Sequence, residues 1–205
     1  MTGKQVFDAA TLDATDRYKL LSGLIVPRPI GWIGSRSLDG VDNLAPFSFF
    51  NMVSGSPPTL LFATGMTVRV KDTLANVRAS GVFTVNLVTE EVAAAMNVTS
   101  DSFPPEVDEF AVAGLTKTEG DAVPAPLVTE AKANLECSVD HIYEVGDGLP
   151  AASVVFGRVL RIHIAESLLD GTRIDFAGLK AVGRLAGSWY SRTTDLFSME
   201  RPGTD

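Results

Sequence analysis

Regular patterning begins with two apolar runs, residues 30–35 (Ile30-Gly31-Trp32-Ile33-Gly34-Ser35) and 44–50 (Leu44-Ala45-Pro46-Phe47-Ser48-Phe49-Phe50), joined through an Asp39-Gly40 turn signal. Both read as strands. Residues 59–64, which follow Pro57-Pro58, read as a third, so the first part of the chain is a β meander. The period then changes. Val70, Leu74 and Val77 fall at i, i+4 and i+7, which predicts a short helix over 71–80 with Gly81 as its C-cap. Residues 82–88 return to strand, 90–97 predict a second helix with acidic residues in its first turn, and 98–108 are irregular.

Two longer strands are predicted in the second half. Over 131–141, Ala133, Leu135, Cys137 and Val139 alternate with Asn134, Glu136, Ser138 and Asp140, the period of a strand with one wet face. Over 152–164, Val154, Phe156, Leu160, Ile162 and Ile164 share a face, and Gly157 interrupts the other. Many short strands with turn signals are best satisfied by sheet closure. The expected fold is therefore mainly β with peripheral α, a closed or split antiparallel barrel. The chain of 205 residues, 45% hydrophobic, supports one core, and no repeat or linker divides residues 1–205.

Charge narrows the function. A net charge of -8 argues against nucleic-acid binding, which rests on Lys and Arg neutralising phosphates. The single cysteine, Cys137, excludes an intrachain disulfide and a Cys-based metal site. The start of the chain lacks an apolar signal core and no run is long enough for a bilayer, so no membrane partner and a cytoplasmic location are expected.

An anionic ligand in so acidic a chain needs a local cluster of cations. Arg69-Val70-Lys71-Asp72-Thr73 supplies one at the start of the first predicted β-to-α helix, where unpaired N–H groups and the positive end of the dipole suit a phosphate. The rival reading is an ordinary helix cap, with Asp72 or Thr73 capping and Lys71 in solvent. Asn43, Ser48 and Asn51 read equally as ligand-gripping groups and as strand-edge polars, and Ser35 and Arg28 are as ambiguous. Trp32, Phe47, Phe49 and Phe50 read as core. His141 and His163 have no partner histidine at metal-like spacing, so both read as structural, and Cys137 reads as an inert core thiol. No protein nucleophile motif and no Rossmann fingerprint is present, so an enzyme here would rely on an organic cofactor.

An ordered series of motifs carries a resemblance. Tyr18-Lys19-Leu20-Leu21-Ser22-Gly23, Pro27-Arg28-Pro29-Ile30-Gly31-Trp32, Asn43-Leu44-Ala45-Pro46-Phe47-Ser48-Phe49-Phe50-Asn51, Lys71-Asp72-Thr73-Leu74-Ala75-Asn76, Phe83-Thr84-Val85-Asn86-Leu87, Asp108-Glu109-Phe110 and Gly183-Arg184-Leu185 run along almost the whole chain. Together they resemble the flavin reductase-like family of FMN-binding split-barrel proteins. The resemblance implies a six-stranded Greek-key split barrel and a homodimer with FMN near the subunit interface. It implies that Gly34, Ser35, Asn43, Ala45 and Ser48 face the flavin and its ribityl chain, and that Arg69, Lys71 and Thr73 approach the phosphate. Pro46, Asn51 and Asp72 complete the candidate set. Ala186 stands where relatives commonly have a second glycine, which leaves the parts of Arg184 and Tyr190 open.

The function expected on this basis is an FMN-dependent oxidoreductase. NADH or NADPH would give hydride to flavin N5, and electrons would pass to a flavin, a metal or a small-molecule acceptor. Arg28 is a candidate electrostatic helper or a brace of the barrel. The alternative is an FMN-binding electron carrier or sensor without its own turnover, and a third reading is a barrel for an unrelated apolar ligand.

Overall fold

Seven strands form one antiparallel sheet: β1 (Gly31–Arg36), β2 (Asp42–Phe47), β3 (Phe50–Gly55), β4 (Pro58–Ala63), β5 (Val82–Leu87), β8 (Ala133–Val145) and β9 (Ala152–Ile164), in the order β2-β1-β5-β8-β9-β4-β3. The computed structural model describes residues 3–65, 70–146 and 152–203. β2 and β3 are opposite edges of this sheet, yet only Ser48 and Phe49 separate them in the chain. Consecutive Cα atoms lie about 3.8 Å apart, so so short a link brings the two edges together at that corner and the sheet must roll. The rolled sheet has seven strands and an open seam where a six-stranded barrel was expected. The predicted strand over 44–50 breaks at Ser48-Phe49 because the chain changes edges there.

The roll explains why β1 and β2 are apolar on both faces. Ile33 and Phe47 join Leu60, Phe62, Phe83, Val85, Cys137 and Val155 in one core, together with Leu74 and Val77 of helix α2 (Asp72–Ser80). Trp32 and Leu44, next in alternation, join a second core with Val88, Met96 of α3 (Ala93–Val98), Phe110 of α4 (Glu109–Val112) and Val128. Two cores share one hairpin, and a strand buried on both sides loses the wet-dry alternation.

Local signals set the helix ends. Asp13 caps α1 (Ala14–Leu24) by accepting from the N–H of Thr15 and Asp16 at 2.9 and 3.0 Å. Gly81 ends α2 at φ 71°, a left-handed cap that glycine adopts without steric cost. The N-cap of α2 is Lys71, not Asp72 or Thr73. The helix expected over 90–97 starts late, at Ala93, because the preceding acids serve tertiary contacts. The Glu90 N–H bonds Lys180 O at 3.0 Å, and the Glu91 carboxylate meets Lys132 Nζ at 2.8 Å.

The long strands depart most from their patterns. Asn134 and Glu136, placed on a wet face by alternation, are buried. The loop between β6 (Lys117–Glu119) and β7 (Pro126–Val128) covers that face, with the N–H groups of Ala122 and Val123 on Glu136, so the strand is buried on both sides here. On β9 the core side is Ser153, Val155 and Gly157, while Leu160 and Ile162 are 47% and 62% exposed. Gly157 faces the Phe83 ring, where a Cβ would collide. The remaining elements are β10 (Leu169–Asp170), β11 (Arg173–Ile174), α5 (Phe176–Leu179), β12 (Val182–Arg184) and β13 (Tyr190–Arg192), and Val182 of β12 joins the second core. Among the described residues no helix is long and apolar enough to cross a membrane.

Candidate functional site

Three cavities meet at Pro46, at the corner where the sheet rolls. The first, about 230 Å³, lies over the start of α2 and is walled by Asn43, Ala45, Pro46, Lys71, Asp72 and Thr73 on one side and residues 99–103 with Glu109 on the other. The second holds Tyr18, Phe49 and Thr64 and shares Pro46, Phe47 and Lys71 with the first. The third, about 150 Å³, runs from Pro46 and Ser48 to Arg184 and Tyr190. Six predicted site residues, far apart in type and in two chain segments, therefore stand on one wall.

Hydrogen bonds order that wall. Lys71 caps α2 with no side-chain bond of its own to the helix, so its ammonium is not committed to capping. Thr73 Oγ1 donates to Asn43 Oδ1 at 2.7 Å, and Ser35 Oγ donates to the same oxygen at 3.2 Å. Asn76 Nδ2 in turn donates to Ser35 Oγ at 3.2 Å. Asn43 Nδ2 donates to Glu109 Oε1 at 2.8 Å, and the backbone N–H of Leu44 donates to Glu109 Oε2 at 3.0 Å. Burial pushes the Glu109 carboxyl above its ordinary range, against the hydrogen bonds from Leu44 and Asn43, and the nearby Asp72 charge adds to the rise.

This junction is clamped from behind. Lys117 Nζ bridges Asp42 Oδ2 at 2.7 Å and Asp108 Oδ2 at 2.6 Å, the residues next to Asn43 and Glu109. The opposite wall is held by Trp32, whose Nε1 donates to Thr99 Oγ1 at 2.8 Å from the second core. Neither Glu109 nor residues 99–103 were singled out as site residues. The signal for Glu109 is the Asp108-Glu109-Phe110 motif, in which Asp108 caps α4 and Phe110 anchors it in the core, so Glu109 is carried to the cavity.

Other candidates stand elsewhere. Ser35 lies one layer behind the wall. Gly34 is off the wall too: a Cβ there would meet Thr84 and come within 2.5 Å of Pro126 O, so packing alone demands glycine. Asn51 projects from β3 with its Oδ1 accepting from the Met52 N–H at 2.8 Å and lines none of the three cavities. Arg69 lies outside the described residues. Arg28 is buried, and its guanidinium donates to the carbonyls of Ser22, Ile25 and Leu185 at 2.6, 2.8 and 3.0 Å and to Ser48 Oγ at 3.3 Å. That is the geometry of a brace between α1, the β2–β3 corner and the 185 turn. Arg184 sits 4.6 Å from the Tyr190 ring centre and bonds the carbonyls of Gly187 and Trp189, so it shapes the third cavity's rim.

Away from the cavities, His163 Nε2 lies 2.7 Å from Glu136 Oε1, while Glu136 Oε2 accepts from the N–H groups of Ala122 and Val123 at 2.6 and 2.8 Å. With Asp121 these side chains bring their oxygens and nitrogen within 4.8 Å of one another, a grouping the histidine spacing did not reveal. Glu136 is already saturated there by hydrogen bonds. Burial pushes the Cys137 thiol up to about 12, so at neutral pH it is a protonated core side chain.

Residues 22–179 match the family described as flavin reductase like domain. An uncharacterized protein of Aquifex aeolicus (strain VF5) is 41% identical over 181 residues, 87% of this chain and 90% of its own. Nitrilotriacetate monooxygenase component B from Bacillus cereus superposes with a TM-score of 0.94 at 34% identity, covering 97% of this chain and 100% of that one. Pseudomonas fluorescens 2-nitrobenzoate 2-nitroreductase NbaA superposes with a TM-score of 0.88 at 30% identity, covering 98% of each. A family match over most of the chain, and relatives alike over nearly their full length, lead to one statement: the chain belongs to the flavin reductase-like family of split-barrel flavoproteins.

Proposed function

We propose that the protein is an FMN-binding oxidoreductase that takes hydride from NADH or NADPH and passes the electrons to a flavin, metal or small-molecule acceptor. The observation that carries the cofactor is the first cavity, where the N-terminus of the nine-residue α2, with an uncommitted Lys71 beside it, lies next to a wall of hydroxyl and amide groups. A ligand with a phosphate at one end and hydroxyls along its length fits that set of polar groups. Two relatives at 30% identity or more bear the names of a monooxygenase component and a nitroreductase, which supports redox chemistry.

The bound flavin would supply the hydride and electron transfer. The chain's own part is binding and tuning. Lys71 and the first N–H groups of α2 receive the phosphate. Ala45 and Pro46 hold the middle of the ligand, with Asp72 and Thr73 beside them, while Asn43, its amide engaged by Glu109, Thr73 and Ser35, braces that wall. Ser48 accepts from Arg28, which leaves its hydroxyl proton for the second and third cavities, where it stabilises negative charge on a bound ring. Arg28 acts through Ser48 and not on the ligand.

The functional unit is proposed to be a homodimer. Leu160 and Ile162 on β9 are 47% and 62% exposed, and Leu24, Ile25 and Met52 are 77%, 62% and 71% exposed. A second copy would cover both.

The test is the visible spectrum of the freshly purified protein, followed by heat release and chromatography of any chromophore, FMN titration and assay of NADH and NADPH oxidation with added acceptors. Stoichiometric FMN with turnover by either nucleotide supports the reading. Bound FMN without turnover would make the protein a carrier. A colourless protein that ignores added FMN would remove the cofactor.

A further inference from the structure

The proton positions around Asn43 follow from a single carboxylate. Glu109 is 6% exposed and its two oxygens both act as acceptors. One receives the backbone N–H of Leu44, which cannot be turned around. The other faces Asn43, so the end of that amide turned toward it has to be the NH2 group, whatever the amide's own preference. Asn43 then presents its carbonyl oxygen to Thr73 and Ser35, and an oxygen that only accepts takes the protons of both hydroxyls. Ser35, having given its proton away, accepts from Asn76. Every donor in the chain points toward Glu109. The Lys117 clamp on Asp42 and Asp108 holds the two segments in register for it.

We propose, resting on the flavin reading above, that Glu109 is a positioning residue that sets ligand selectivity by making Thr73 present an oxygen lone pair to the cavity and not a proton. Thr73 then faces a hydroxyl or N–H of the ligand, and among the described residues the phosphate is received by Lys71 and the N-terminus of α2. This differs from the sequence expectation, in which the Thr73 hydroxyl approaches the phosphate as a donor. Its proton is already spent on Asn43 at 2.7 Å.

The experiment measures the dissociation constants of FMN and riboflavin by flavin fluorescence for the wild type and four variants. In Glu109→Gln the new side chain keeps the Leu44 bond with its oxygen and turns its NH2 toward Asn43, which reverses the relay and releases the Thr73 proton to the cavity. The preference for FMN over riboflavin is expected to rise about five- to tenfold, the effect of one hydrogen bond gained by a phosphate. The same change in a Thr73→Val background should leave the preference where Thr73→Val alone puts it. The swap N43D/E109Q conserves charge and hydrogen-bond count, because an aspartate at 43 accepts from both sides, and should return the preference to the wild-type value.

An unchanged preference in E109Q would overturn the proposal. So would a change that persists in full without the Thr73 hydroxyl, which would make Glu109 a plain charge. E109Q that binds neither flavin still supports the relay if N43D/E109Q restores both affinities and the wild-type preference, and failure of both variants counts against it. A wild type that binds neither flavin would instead fell the flavin reading, and this proposal with it.

Discussion

Lys71 tests the phosphate end of the site at the scale of one side chain. It caps α2 without a side-chain bond to it and borders two of the three cavities. Lys71→Ala is expected to weaken FMN binding by roughly 1–3 kcal/mol, the range of a charge-assisted hydrogen bond, while riboflavin binding changes little. An FMN dissociation constant equal to that of the wild type would take Lys71 out of the site. Glu136 makes a prediction about stability. Burial pushes its carboxyl up, but His163 and the N–H groups of Ala122, Val123 and Asp121 outweigh burial and leave it below the ordinary range. A depressed folded pKa stabilises the protein above the unfolded value, near 4.3, and that stability is lost as pH falls through the folded value. Glu136→Gln should therefore lower the urea midpoint at pH 7 and narrow its difference from wild type below about pH 4. A gap of constant size down to pH 3 would contradict the linkage. These two residues also mark what single positions reveal. The place of Lys71 at the start of α2 was legible because a helix start and a cation are neighbours in the chain. Glu136 was misread because alternation says that a side chain faces one way, not what lies over it.

At the scale of elements, periodicity predicted where β1, β4, α2 and β5 lie within a residue or two, since each is set by local spacing and by caps such as Gly81. It failed where an element's face depends on its neighbours. On β9 the more apolar set, Leu160 and Ile162 among it, points away from the core. The β2–β3 corner is a case of the same kind, and Arg28 holds it. Its three carbonyl acceptors belong to α1 and to the turn after β12. A lysine cannot spread its donors in that fork. Arg28→Lys should thus destabilise the fold by about 2–4 kcal/mol in urea, because buried carbonyls lose their partner. FMN affinity of the folded fraction should stay within twofold. A large loss of affinity at unchanged stability would return Arg28 to a direct role at the ligand.

The whole molecule is a rolled sheet with a core on each side of its first hairpin and an apolar outer face on its longest ladder. Apolar side chains as exposed as Ile162 and Leu24 are costly to leave in water, so association is expected. Sedimentation equilibrium should give twice the 21.8 kDa chain mass, and Ile162→Glu should give the chain mass with the melting profile of a folded protein. A wild type that sediments as a single chain at micromolar concentration would remove the dimer.

The amino-acid order alone determined the class of fold and the run of elements, because hydrophobic period, turn residues and helix caps act between residues a few positions apart. It also put Lys71 with Thr73 at a helix start as ligand candidates, and the family resemblance added Asn43 with Ala45. Only the tertiary structure decided that these two groups share one wall, that Glu109 stands 66 positions from Asn43 and 2.8 Å from its amide, and that Gly34 and Asn51 lie off that wall. The reason is physical. A rolled sheet places residues by strand order and edge crossing, and neither leaves a trace in local spacing.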